Sequence, residues 1–225
     1  SKVGEIDNMI EKTEKKIKLY EELKKSIITH AVTKGLNPNA KMKDSGVEWI
    51  GDVPEHWEIK KLFYVFKILD YLREPISAEN RERNNPQYDY YGASGVIDKI
   101  DYFNVEDKVI LIGEDGANLV FRNLPLIYKA SGKFWVNNHA HILKPIKDDY
   151  DYMAYLLESG DYYTYITGSA QPKLSQENLS NFVLCVPPKK EQMNIVTYLD
   201  SKTSTIDSQI SIAHKRIDLL KELKS

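Results

Sequence analysis

The sequence is poor in the features that most directly announce a chemistry. Cysteine occurs once, at Cys185, so neither an intrachain disulfide nor a cysteine-based zinc framework can form. Its place in the apolar run Phe-Val-Leu-Cys-Val predicts a buried, inert thiol. No apolar run is long enough to span a bilayer and there is no signal-peptide pattern, which fits a cytoplasmic protein. Net charge is only −2 over 225 residues. The chain as a whole therefore exerts no attraction on a polyanion, and nucleic-acid binding would need a local basic face.

Catalytic patterns are also scarce. A phosphate-cradling loop needs glycines between a strand and a helix, as in GxGxxG or GxxxxGK[ST]. Gly113-Glu114-Asp115-Gly116 follows a strand but fits neither pattern, and its two acids would repel phosphate. His139-Ala140-His141 would put two imidazoles on one face of a strand, yet no third ligand is evident, so structural histidines are the expectation. Asp52 with Glu58-Ile59-Lys60 could be assembled into a metal-dependent nuclease site, but the spacing is loose. No Asn/Asp-Pro-Pro-aromatic tetrapeptide of an adenine methyltransferase occurs. With 42% apolar residues the chain can still bury a real core, and it reads as a binder.

What is present is a repeat. Residues 1–25 and 201–225 align without gaps at a constant offset, sharing Ile6/Ile206, Asp7/Asp207, Ile10/Ile210, Lys15/Lys215, Ile17/Ile217, Leu19/Leu219 and Glu22-Leu23-Lys24/Glu222-Leu223-Lys224. From Glu5 to about Lys34 there is no proline and no internal glycine. Ile6, Ile10, Thr13, Ile17, Tyr20, Leu23, Ile27 and Ala31 make one stripe at helical spacing. Gly35 supplies the stop. After Pro187-Pro188 a similar stripe runs through Ile195, Leu199, Ile206, Ile210, Ala213, Ile217, Leu220 and Leu223, with a break expected near 200–204. A narrow stripe cannot be buried by one helix alone. One helix leads into the middle of the chain and the other leads out, so the two are expected to pack antiparallel as a coiled-coil stalk. Ile6, Ile10, Ile17, Tyr20, Ile27, Ile206, Ile210, Ile217 and Leu220 are its expected packing residues.

The resulting fold class is α+β, a mixed α/β head on a two-helix stalk. Residues 1–35 form the first helix, 36–58 a connecting loop whose Trp49 and Trp57 plug onto the head, 59–188 the head, and 189–225 the distal helix. Residues 88–91 lead into a turn at 92–95, strands are expected at 108–112, 134–143 and 181–186, and helices at 149–158 and 161–166. Three loops combine glycine with amides, hydroxyls and cations, a composition that lets backbone approach a groove while side chains read base edges and hold phosphates. They are 92–99, 131–141 and 168–175, and they offer Ser94, Lys99, Lys133, Asn137, Asn138, His139, Gln171, Lys173 and Ser175 as DNA-binding candidates.

The run KDSGVEWIGDVPEHWE at 43–58 closely resembles the signature that opens target-recognition domains in specificity subunits of bacterial type I restriction-modification enzymes. The closing elements are similar to that family too: GSAQPKLS at 168–175, Val186-Pro187-Pro188, then Glu191-Gln192 with Ile195 and Leu199. Such subunits carry two recognition domains separated by two antiparallel helices, and this chain resembles the second half of one, excised from a longer chain. The resemblance implies a non-catalytic reader of one half of a bipartite site in double-stranded DNA, its helices acting as a ruler. It implies methyltransferase subunits that hold S-adenosylmethionine and a restriction subunit that uses ATP and Mg, with no cofactor in this chain. Self-association of a half-length piece is a further expectation. The alternative is a protein-protein adaptor that uses the long helices without reading DNA.

Overall fold

The computed structural model describes residues 2–224; Ser1 and Ser225, and with them the ends of the first and last segments, lie outside it. Helix α1 spans Lys2–Lys34, about 50 Å at 1.5 Å per residue, and α5 spans Lys189–Glu222. Their contacts are reciprocal. Lys24 Nζ donates to Asp207 at 2.7 Å, and Lys224 Nζ donates to Asp7 at 2.6 Å. Each pair joins position 7 of one repeat copy to position 24 of the other, which requires antiparallel helices related by a two-fold axis near the middle of the repeat. Ile17, Ala213 and Ile217 are buried on that axis, flanked by half-buried Ile10 and Ile210.

The packed positions correct the expected stripe in two places. In α1 the seam runs 6, 10, 13, 17, 20, 24, 27, 31, alternating steps of four and three as a heptad does. That puts Lys24 in the seam and leaves Leu23 exposed; Leu223 is exposed likewise. In α5 the helix does not break near 200–204. Ile195, Leu199, Thr203 and Ile206 are all buried, so two steps of four adjoin, a phase shift that a continuous helix absorbs. Tyr20 and Leu220 are half-buried, and Ile27 packs against the core of the head.

The segment after α1 forms a small hairpin of β1 (Met42–Asp44) and β2 (Asp52–Pro54). Lys34 Nζ donates to the carbonyls of Ile50 and Asp52 there. Trp57 is buried and Trp49 stacks on Phe182 at 5.4 Å, so both tryptophans seal the head. Strand β3 (Glu58–Lys61) pairs antiparallel with β10 (Val183–Val186).

The main sheet has the order β4-β9-β7-β8-β5-β6. Its strands are β4 (Phe66–Ile68), β5 (Tyr88–Gly92), β6 (Gly95–Ile100), β7 (Val105–Gly113), β8 (Ile127–Val136) and β9 (Ala140–Pro145). Pairing is antiparallel except between β5 and β8. Alternation sorts the central strand: Val109 and Leu111 enter one core with Phe134, Val136 and Ile142, while Ile110 and Ile112 face the other with Leu143. That second core is closed by α3 (Tyr150–Ser159), Ala31 and Val32 of α1, and Ile195 and Leu199 of α5. Asp149 caps α3 by accepting from Asp151 N and Tyr152 N. Gln192, fully buried, accepts from Asp149 N and donates to Asp148 and Pro187 O, locking the start of α5 to α3.

Two local expectations change. The single strand over 134–143 is two strands, β8 and β9, separated by a turn at Asn137–His139. Residues 163–165 form a 3-10 turn in place of a helix over 161–166. The short helices α2 (Asn118–Phe121) and α4 (Gln176–Ser180) had no sequence expectation.

Candidate functional site

Four turns meet at one edge of the head. The β5–β6 turn lies against the end of β7, so close that a Cβ on Gly113 would come 2.7 Å from Ala93 O. Asn137 N donates to Tyr91 O at 3.1 Å, Glu114 N to His139 O at 2.9 Å, Gly116 N to Pro172 O at 3.0 Å and Leu174 N to Glu114 O at 2.7 Å. Backbone hydrogen bonds thus join residues from about 91 to 174 into one surface. Gly168 holds the last turn in the left-handed region at φ +81°, and any side chain there would run into Gln171 O.

Beneath these turns lies a charged network. Arg73 donates to the Glu114 carboxylate and sits 3.3 Å from Asp70. Lys173 Nζ reaches the other Glu114 oxygen at 3.0 Å. His141, fully buried, has Asp70 Oδ2 2.5 Å from Nδ1 and Leu174 O 2.7 Å from Nε2. Both ring nitrogens face oxygen atoms, one from a carboxylate and one from the backbone. Burial pushes the Glu114 carboxyl up, but hydrogen bonds from Arg73 and Lys173 and the charge of His141 outweigh it, leaving it below the usual carboxylate range.

The sequence candidates therefore divide. Ser94, Asn138, His139 and Gln171 are exposed on the turn edge, with His139 bonded to Asp115 at 2.7 Å. Asn137 is buried and its Oδ1 accepts from His139 N, a turn-forming contact. Ser175 caps α4. Lys173 is half-exposed but engaged by Glu114. Lys99 and Lys133 lie on strands outside the cluster, beside Asp89 at 3.3 Å and Glu106 at 3.9 Å. His139 and His141 do not share a strand face: one is in the turn and the other lies beneath it. Among the described residues no three His, Cys, Asp or Glu side chains gather as a metal site would need. Sequence reasoning passed over Asp70, Arg73 and Glu114, which build the support. The signal available was the acid pair of Gly-Glu-Asp-Gly, read only for its repulsion of phosphate.

The same architecture occurs in known proteins. Residues 54–222 match the family model described as the type I restriction modification DNA specificity domain. A Haemophilus influenzae protein named as a type I restriction enzyme specificity subunit is 29% identical over 164 residues, 72% of this chain and 39% of its own. Among solved structures, a chain from a study of assembly and conformational transition of the type I R-M system aligns at TM-score 0.65 and 15% identity, covering 99% of this chain and 55% of that one. The S subunit from M. genitalium aligns at TM-score 0.60 and 17% identity, over 97% and 57%. The HsdS subunit from Thermoanaerobacter tengcongensis aligns at 0.59 and 16%, over 99% and 53%. The chain thus spans between two-fifths and three-fifths of the length of these relatives. With the family match covering most of its length, head and distal helix alike, the chain belongs to the type I restriction-modification DNA specificity domain family.

Proposed function

We propose that this chain reads one half of a bipartite site in double-stranded DNA and performs no catalysis itself. The observation that carries this reading is the turn edge, where exposed Ser94, Asn138, His139 and Gln171 are held in place by a buried charged network. A polar edge fixed this firmly suits base readout, since discrimination depends on donors and acceptors that do not move to suit a wrong base. The division into helix 1–35, connector 36–58, head 59–188 and distal helix 189–225 goes with this reading.

The stalk is assigned to methyltransferase subunits, which would bring S-adenosylmethionine, and through them to an ATP- and Mg-dependent restriction subunit. Support comes from apolar residues that the helix pair leaves uncovered. Leu19 and its repeat equivalent Leu219 are 64% and 60% exposed, and Leu23 and Leu223 are exposed beside them. The two-fold relation of the helices makes these two equivalent stripes, suited to two copies of one partner.

Titrating the chain, with and without a methyltransferase subunit, against a library of duplexes should enrich one short half-site. Gln171→Ala should relax the preference at one position, and Gly168→Ala, which displaces the turn, should abolish it. Binding that is wholly sequence-independent in the presence of the partner would overturn the reading. Co-purification with the partner without any added base preference would favour an adaptor.

A further inference from the structure

The turn edge is poor in free positive charge, because Lys173 and His139 are each engaged by an acid. A second face is the reverse. Lys60 and Lys61 end β3, Phe63 and Tyr64 follow in a 3-10 turn, and Lys147 comes from the chain leaving β9. With Ile59 they line an open depression of about 600 Å³. Lys189, at the start of α5, donates to Lys147 O at 3.0 Å and so brings a fourth ammonium group to the rim. Among the described residues only Lys60 of these four lysines has a carboxylate partner, Glu58. The Glu58 carboxyl is held below its usual range by the hydrogen bond and charge of Lys60, reinforced by the charges of Lys147 and Lys43, so the field here is positive. Phe63 and Tyr64 are 43% and 63% exposed, their ring centres 3.9 Å apart.

In a chain of net charge −2 this concentration of lysine calls for an anionic occupant, and the aromatic pair calls for one with apolar surface as well. A duplex backbone offers both, with phosphates for the ammonium groups and the tyrosine hydroxyl and deoxyribose faces for the rings. Position agrees. Strand β9 begins at the turn edge, where Ala140 follows His139, and ends at Pro145 beside this face. Its six residues span about 20 Å at 3.3 Å each, roughly six base-pair steps of a duplex.

We propose that this face grips the sugar-phosphate backbone of duplex flanking the half-site, on one side only and irrespective of its sequence. The inference rests on the DNA-reading function proposed above.

The test compares the assembled complex of wild type and of Lys60→Gln/Lys61→Gln/Lys147→Gln on three duplexes. One ends at the half-site, and the others extend it by about ten base pairs on one side or the other. Wild type should bind one of the extended duplexes more tightly, with a slope of log affinity against log salt steeper by about 2.7 for three phosphates. The variant should bind the short duplex as wild type does and lose that gain. Lys147→Gln alone, at an exposed position, should lose about a third of the slope difference. If wild type shows no one-sided gain, or the variant retains it, the proposal is overturned. If the variant keeps the gain but releases a partner subunit, the face is a protein contact and the proposal is likewise overturned. Failure of wild type to prefer any short half-site would instead sink the function on which it rests.

Discussion

The stalk and the turn edge both combine ion pairs with apolar packing, but in opposite arrangements. In the stalk, apolar residues form the seam and the Lys24–Asp207 and Lys224–Asp7 pairs stand in water at its margins. At the turn edge the charges are inside: Asp70, Arg73, Glu114 and His141 are largely or wholly removed from solvent, and polar turns lie over them. Exposed pairs contribute little and tolerate exchange, whereas buried charges penalise the loss of any one partner. A stalk needs only its seam to hold two helices at a fixed separation. An edge that must present side chains in fixed directions is better served by an arrangement that resists partial change.

The contrast can be tested from its strongest consequence downward. Arg73→Ala should destabilise the head by about 3–5 kcal/mol, because it takes the guanidinium from between the two buried carboxylates of Glu114 and Asp70; chemical denaturation monitored by tryptophan fluorescence would measure it. A loss under about 1 kcal/mol would mean that water replaces the guanidinium and the edge is no different from the stalk. Next, Ile17→Ala and Ile217→Ala should each cost about 2 kcal/mol through the cavity left in the seam. Their equality is the sharper test, since unequal losses would break the two-fold relation. Acid should separate the regions next. Glu114 has a lowered folded-state value, so its contribution is fully present above the unfolded carboxylate value near pH 4.3 and is lost as pH falls through the folded value. Glu114→Gln should remove that part of the acid dependence. Smallest of all, Asp207→Ala and Asp7→Ala should each cost about 0.2–1 kcal/mol, and the loss should vanish at high salt.

The stalk was legible in the sequence because its information is local and repeated. A period of seven and an offset of 200 residues place Ile17 against Ala213 and Ile217. One error, choosing Leu23 over Lys24, came from following hydrophobicity where the heptad phase decides; a lysine can sit in a seam by laying its stem along it and reaching out to Asp207. The head was legible in part, at the strands expected over 108–112 and 181–186 and the helix expected over 149–158, where β7, β10 and α3 stand. Its edge was not. Asp70, Arg73, Glu114, His141 and Lys173 are separated by tens of residues and share no period, so nothing local shows that they meet. The turn between β8 and β9 was hidden for a related reason: Asn137-Asn138-His139 carries neither glycine nor proline to mark it, and the bond from His139 N to Asn137 Oδ1 that closes it is not visible in the sequence.

Cys185 has a further use. Its thiol donates to Val32 O at 3.3 Å, on the carbonyl that also accepts from the Tyr152 hydroxyl at 3.0 Å, where the head closes on α1. Burial pushes the thiol up to about 12, so it stays protonated and unreactive while that contact is intact. As the chain has no other cysteine, the rate at which a thiol reagent modifies it becomes a stopwatch for the head lifting from its helix. Unzipping at the far end of the stalk would leave that stopwatch untouched, so the unmodified protein can report which of its two parts opens first.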